Sequence, residues 1–176
     1  MRESPQAGHS GGETIGPSVE RGLGYVAVGP VEELLAFLGS LSSSRRSFLW
    51  ITDRASWPSV DGGRILRLTS TSTGPGALDP KHLSDLRTAA AAFVADDSAG
   101  LVLVDGLESL VLHNGGERVQ RTLADLHDDV TMHGGSLVVF VDPRAASPKL
   151  VAWLERELDP LPSERGRARE PDLFMA

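Results

Sequence analysis

Two apolar runs in the chain show no alternation with polar residues, and each ends in an aspartate. Residues 101–104 read Leu-Val-Leu-Val before Asp105, and residues 137–141 read Leu-Val-Val-Phe-Val before Asp142. An uninterrupted apolar run of this length predicts a strand that is buried on both faces, as in a parallel sheet. Further strands are predicted over residues 25–28, 48–51 and, near an edge of the sheet, 65–68.

The segments between these strands carry apolar residues at helical spacing. Val119, Leu123, Leu126 and Val130 are separated by four, three and four residues, which is the period of an amphipathic helix. Strands that alternate with helices predict an α/β fold of three layers, with a mostly parallel sheet of about five strands and helices on both faces. The predicted helices cover approximately residues 30–44, 79–96, 107–113, 117–133 and 147–158.

Composition divides the chain and limits its partners. Residues 1–22 and 159–176 are rich in Gly, Ser, Pro and charged side chains and are predicted to be disordered tails, which leaves one domain at residues 23–158. A net charge of −7 argues against nucleic acid as the main partner. No apolar run approaches the ~20 residues that a membrane helix needs, and the N-terminal residues lack a signal-type segment, so no membrane association and a cytoplasmic location are expected.

Carboxylates follow three of the predicted strands. If those strands are neighbours, Asp53, Asp105 and Asp142 converge at the edge where open α/β sheets bind ligands. Such a cluster suits Mg²⁺; the alternative is that each acid caps the turn or helix that follows it. Glu108 lies in a predicted first helical turn, where the helix dipole favours a carboxylate, and polarising a water is its alternative role.

A phosphate-binding loop of the pattern G-x-x-x-x-G-K-[ST] is absent from the chain. After the first predicted strand, residues 29–33 read Gly-Pro-Val-Glu-Glu, and these two carboxylates would repel a triphosphate. Lys81 and Lys149 are the only lysines, and neither follows a glycine. The histidines form no zinc-type string, so no cofactor is expected.

Several segments, in order along the chain, resemble the largely archaeal family called domain of unknown function 835. The most specific is the string DGLE-x-L-x-x-x-N-G that begins at Asp105; the family's I-T-R-x-x-P element appears displaced by one residue at Ile51 to Pro58. The resembling segments are residues 24–28, 48–58, 65–70, 101–115, 123–143 and 154–157.

That family is similar to RecA- and KaiC-like ATPase cores without the phosphate loop, and its members often accompany sensor modules. The resemblance therefore implies a degenerate nucleotide-hydrolase fold used in signalling or assembly. It also implies a strand order in which the 137–141 strand lies between the 25–28 and 101–104 strands, with the 48–51 strand beyond.

We interpret the chain as a non-catalytic RecA/KaiC-like domain that binds another protein or itself in a signalling role, with no catalytic residue and no metal ligand. The alternative is a Mg²⁺-dependent nucleotide-binding enzyme that uses Asp53, Asp105 and Asp142. A phosphoacceptor receiver domain fits less well, because its acidic pair should follow the first strand. The candidate ligand-binding or interaction edge consists of Asp53, Arg54, Asp105, Glu108, Asn114, Asp142 and Arg144.

Overall fold

A computed structural model describes residues 19–162, which form one open sheet of seven parallel strands together with five helices. The strands are β1 (Gly24–Val28), β2 (Phe48–Thr52), β3 (Gly63–Leu68), β4 (Ala77–Leu78), β5 (Leu101–Val104), β6 (Ser136–Val141) and β7 (Asp159–Pro160). The helices are α1 (Val31–Ser44), α2 (Leu83–Asp96), α3 (Leu107–Asn114), α4 (Gly116–Met132) and α5 (Pro148–Glu157).

The strands lie in the order β4-β3-β2-β5-β6-β1-β7. The predicted order of the central strands is confirmed, because β6 lies between β1 and β5 while β2 lies beyond β5. Val104 of β5 is in register with Ile51 of β2 on one side and with Val139 of β6 on the other. The carboxyl ends of β2, β5 and β6 are therefore neighbours, and the residues that follow them share one edge of the sheet.

Two apolar clusters lie on opposite faces of the sheet, as the predicted α/β fold requires. Within β5, Leu101 and Leu103 pack in the cluster that contains α1, whereas Val102 and Val104 pack in the cluster that contains α2, α3, α4 and α5. All four residues are fully buried, which explains why the strand shows no polar alternation. Among residues 19–162, one helix thus covers one face and four helices cover the other.

The sheet has seven strands rather than about five, because two short strands extend its edges. β4 pairs with β3, and β7 pairs with β1. Each is two residues long, which is too short to show any periodicity in the sequence. Pro160 can occupy β7 because an edge strand needs hydrogen bonds on one side only.

Hydrogen bonds to the sheet extend beyond residues 23–158 at both ends. The backbone N–H of Gly22 donates to the carbonyl of Gly135 at 3.0 Å, and the hydroxyl of Ser136 donates to the carbonyl of Glu20 at 2.7 Å. Beyond β7, the N–H of Leu161 donates to the carbonyl of Val26 at 2.9 Å. These specific hydrogen bonds hold segments whose composition alone resembles a tail. The rest of the predicted tails, residues 1–18 and 163–176, lies outside the described residues.

The starts of α5 and α2 differ in how they are capped. α5 begins at Pro148, and the hydroxyl of Ser147 accepts from the N–H of Leu150 at 3.2 Å. α2 begins at Leu83 rather than near Asp79, because the Asp79 carboxylate caps a separate turn before the helix. No helix within residues 19–162 has the length and apolar character needed to cross a bilayer.

Candidate functional site

The carboxyl edge is the edge of the sheet where β2, β5 and β6 end, and Asp105 lies at its centre. Both carboxylate oxygens of Asp105 have protein partners. The strand ladder continues through its backbone, because the N–H of Asp105 donates to the carbonyl of Ile51 at 3.0 Å. Trp50 Nε1 donates to Oδ1 at 3.1 Å, and Arg54 Nε donates to Oδ2 at 3.0 Å. The neighbouring Thr52 hydroxyl accepts from the N–H of Arg54 at 3.2 Å, which fixes the turn that carries this arginine. The Asp105 side chain is therefore built into the packing between β2 and β5.

Burial and hydrogen bonding act in opposite directions on this carboxyl. Burial raises the pKa of Asp105, whereas hydrogen bonds from Thr52, Arg54 and Trp50 and the positive charge of Arg54 oppose the rise. The residue is 2% exposed, while the Arg54 side chain is 36% exposed. The edge thus holds a carboxyl group that is shielded from water, bonded to protein donors and paired with a half-exposed cation.

Asp142 occupies the end of the neighbouring strand and is held by its own loop. Arg144 contacts it three times: its N–H and Nε donate to Oδ1 at 2.9 and 3.2 Å, and Nη2 donates to Oδ2 at 3.0 Å. These hydrogen bonds lower the pKa of Asp142, and the positive charges of Arg144 and Arg54 lower it further. The Asp142–Arg144 pair therefore closes the turn that follows β6.

Asp53 is exposed and packs against the turn that follows β5. Gly106 there has φ of +77°, and a Cβ at that position would lie 2.8 Å from Cγ of Asp53. Asp53, Asp105 and Asp142 follow the adjacent strands β2, β5 and β6, and Asp105 and Asp142 bond to separate arginines. Within residues 19–162, no group of three or more acidic or histidine side chains is arranged to hold a metal ion.

Glu108 is the half-buried carboxylate of the edge. Burial raises its pKa, a hydrogen bond with its own N–H opposes the rise, and the negative charges of Asp53, Asp105 and Asp142 raise the pKa further. Its carboxylate forms no salt bridge with any side chain of residues 19–162, unlike Asp105 and Asp142. Glu108 therefore lies near three carboxylates and forms no ion pair within the described residues.

Asn114 has a structural role at the opposite end of α3 from Glu108. Its Nδ2 donates to the carbonyl of Pro80 at 2.7 Å and to the carbonyl of Leu110 at 2.9 Å. The side chain thus joins the end of α3 to the turn before α2. The structure does not place Asn114 with the charged residues of the edge, although the sequence analysis grouped them.

The turn after β1, the position considered for a phosphate loop, is occupied by the Glu33 carboxylate and by a bonded backbone amide. The N–H of Gly29 donates to the carbonyl of Val141 at 3.1 Å, so this amide is not free to bind an anion. A Cβ at Gly29 would lie 2.8 Å from Cδ of Glu33, which shows that the Glu33 carboxylate lies directly against this turn. The N–H of Glu33 in turn donates to the carbonyl of Pro30 at 3.0 Å. A carboxylate and an amide already bonded to β6 thus occupy the turn that follows the first strand.

Sequence reasoning missed the aromatic and hydroxyl partners of the edge. Trp50 and Thr52 alternate along β2 on the face that bears Asp105, and that alternation was the available signal. Trp57 packs edge-to-face on Trp50, with ring centroids 5.9 Å apart and an interplanar angle of 69°. A groove beside α3, edged by exposed Leu112, was also missed, because a single exposed leucine has no signature in a sequence.

Fold and site together define an α/β domain with an open, all-parallel sheet whose carboxyl edge is closed by internal ion pairs. The family model described as Protein of unknown function (DUF835) matches residues 30–158, which is more than half of the chain. The chain therefore belongs to the DUF835 family. A search of curated proteins finds no match.

Proposed function

We propose that this chain is a non-catalytic, RecA/KaiC-like domain that acts by binding another protein, or itself, in a signalling or regulatory assembly. The observation that carries the proposal is the closed turn after β1. There the Gly29 amide is bonded within the sheet, and the Glu33 carboxylate packs against it. Binding a triphosphate at this turn would require displacing an anion and breaking a backbone hydrogen bond, with no lysine to compensate.

The chemistry of Asp105 supports the same proposal. In a nucleotide hydrolase, the acid at this strand end must leave lone pairs available to a metal ion or a water. Here Trp50 and Arg54 take one carboxylate oxygen each, at 3.1 and 3.0 Å. The signalling context and a cytoplasmic location stay predictions from the sequence and from the family resemblance.

Two measurements on the full chain test the proposal. Phosphate release from ATP and GTP with Mg²⁺ is expected to equal the rate without protein. Light scattering and chemical cross-linking are expected to detect self-association, or a pull-down with the chain as bait is expected to recover a defined partner. A strict monomer without any partner, or turnover that disappears in Asp105→Asn, would contradict it; the second result would favour the Mg²⁺-dependent enzyme instead.

A further inference from the structure

A groove lies between α3, the start of α4 and the start of α5, on the face that carries four helices. Its volume is about 430 Å³. Val111 and Leu150 lie at its apolar base, and Leu112 stands at its edge. Ligand pockets in proteins measure roughly 300–1,000 Å³, so this groove is large enough to receive a side chain of a partner.

Leu112 is the apolar feature that the fold leaves uncovered at this groove. Its relative exposure is 82%, whereas Leu110, two residues earlier on the same helix, is 2% exposed. Leu150 at the base is 4% exposed. An incoming apolar side chain that contacts Leu112 and the apolar base would therefore remove the exposed surface of Leu112 from water.

The charges around the groove indicate which charge its partner should carry. Glu108 and Glu117 line it together with one cation, Lys149. Neither glutamate forms a salt bridge with a side chain of residues 19–162, and Glu108 also experiences the negative charges of nearby carboxylates. With two carboxylates against one ammonium group, the lining favours a cationic group beside the apolar anchor. A second copy of this chain, with its net charge of −7, brings charge of the wrong sign.

We propose that this groove docks a segment of a different protein that carries one large apolar side chain flanked by lysine or arginine. The proposal rests on the proposed function as an interaction domain and names the surface and the partner chemistry. The apolar side chain inserts between Leu112 and Leu150, and the flanking cations pair with Glu108 and Glu117.

The test is a selection of random 12-residue peptides displayed on phage against the immobilised full chain, followed by fluorescence anisotropy with the best synthetic peptide. Enriched peptides are expected to combine Leu, Phe or Met with Lys or Arg, and to bind more weakly as salt is raised. Leu112→Asp is expected to weaken binding by roughly thirtyfold, and Glu117→Lys by roughly tenfold.

Met132→Asp is the matched control, because Met132 is 84% exposed and lies outside the groove; it is expected to change the affinity by about twofold or less. No enrichment, enrichment of acidic peptides, or equal affinity for Leu112→Asp would overturn the groove assignment. Self-association that Leu112→Asp abolishes would overturn it in favour of a second copy. If no peptide binds while the chain still self-associates or captures a defined partner, the proposed function stands and only the assignment of the groove as the docking site is wrong.

Discussion

Replacing Asp105 distinguishes a carboxylate that stabilises the fold from one that is kept for chemistry. Asp105→Ala removes the acceptor for the buried Trp50 Nε1, which donates to it at 3.1 Å. A buried donor left without a partner costs about 1–3 kcal/mol. The salt bridge with Arg54 adds little, since that side chain is 36% exposed and screened by water.

The loss of the buried charge partly offsets these costs. Burial raises the pKa of Asp105, so ionising this carboxyl is less favourable in the folded state than in the unfolded one. Combining one unsatisfied buried donor with this relief, we expect Asp105→Ala to lower the free energy of unfolding by about 1–3 kcal/mol. Asp105→Asn keeps one acceptor oxygen and is expected to cost about 1 kcal/mol.

The sign of the pH dependence follows from the raised pKa. The stability that protonated Asp105 contributes is fully present below the unfolded-state pKa and is lost as pH rises through the folded-state pKa. The destabilisation by Asp105→Asn is therefore expected to be larger at about pH 4 than at about pH 7.

Urea unfolding followed by far-UV circular dichroism measures these free energies. Asp128→Ala is the control, because the Asp128 side chain is 77% exposed, and its effect should be within about 0.5 kcal/mol. The reasoning is refuted if Asp105→Ala leaves the protein as stable as Asp128→Ala does, or makes it more stable. That outcome would be typical of a carboxylate retained for binding or catalysis at the expense of stability.

Three further predictions concern other parts of the same edge and its helices. Glu108→Gln is expected to raise the melting temperature near neutral pH and to make that temperature depend less on pH. The reason is that the pKa of Glu108 is raised, so the wild-type protein loses stability as pH rises through the folded-state pKa. An unchanged pH profile would contradict this. Gly106→Ala is expected to cost at least about 1 kcal/mol more than Gly22→Ala in urea unfolding, since both glycines have positive φ but only Gly106 would place a Cβ against Asp53; equal costs would show that the close contact is unimportant. Ser147→Ala is expected to cost about 1 kcal/mol by removing the cap of α5, and a change below about 0.3 kcal/mol would argue against that cap.

The strongly buried strands were predictable from the sequence because burial on both faces removes polar residues. β5 and β6 show this directly, and every one of their residues is buried. The order of the central strands was not contained in that pattern; it came from the family resemblance, and the structure confirms it. β4 and β7 could not be predicted, because two residues carry no period and their pairing depends on distant partners.

The positions of the acids at the candidate edge could be predicted from the sequence, but their hydrogen-bond partners could not. The sequence placed acids after three strands, and the strand order makes them neighbours. It could not reveal that Trp50 and Arg54 bond to Asp105, because these contacts span 55 and 51 residues of the chain. It likewise grouped Asn114 with the edge, although that side chain bonds to the carbonyls of Pro80 and Leu110.

Isothermal titration of the full chain with ATP, with and without Mg²⁺, tests most directly whether the turn at Gly29 is closed to a triphosphate. Because the Glu33 carboxylate packs against that turn and the Gly29 amide is already bonded, no saturable heat is expected up to about millimolar ATP in either condition. Saturable Mg²⁺-dependent binding in this range, weakened when Gly29 or Asp105 is substituted, would contradict a non-catalytic interaction domain.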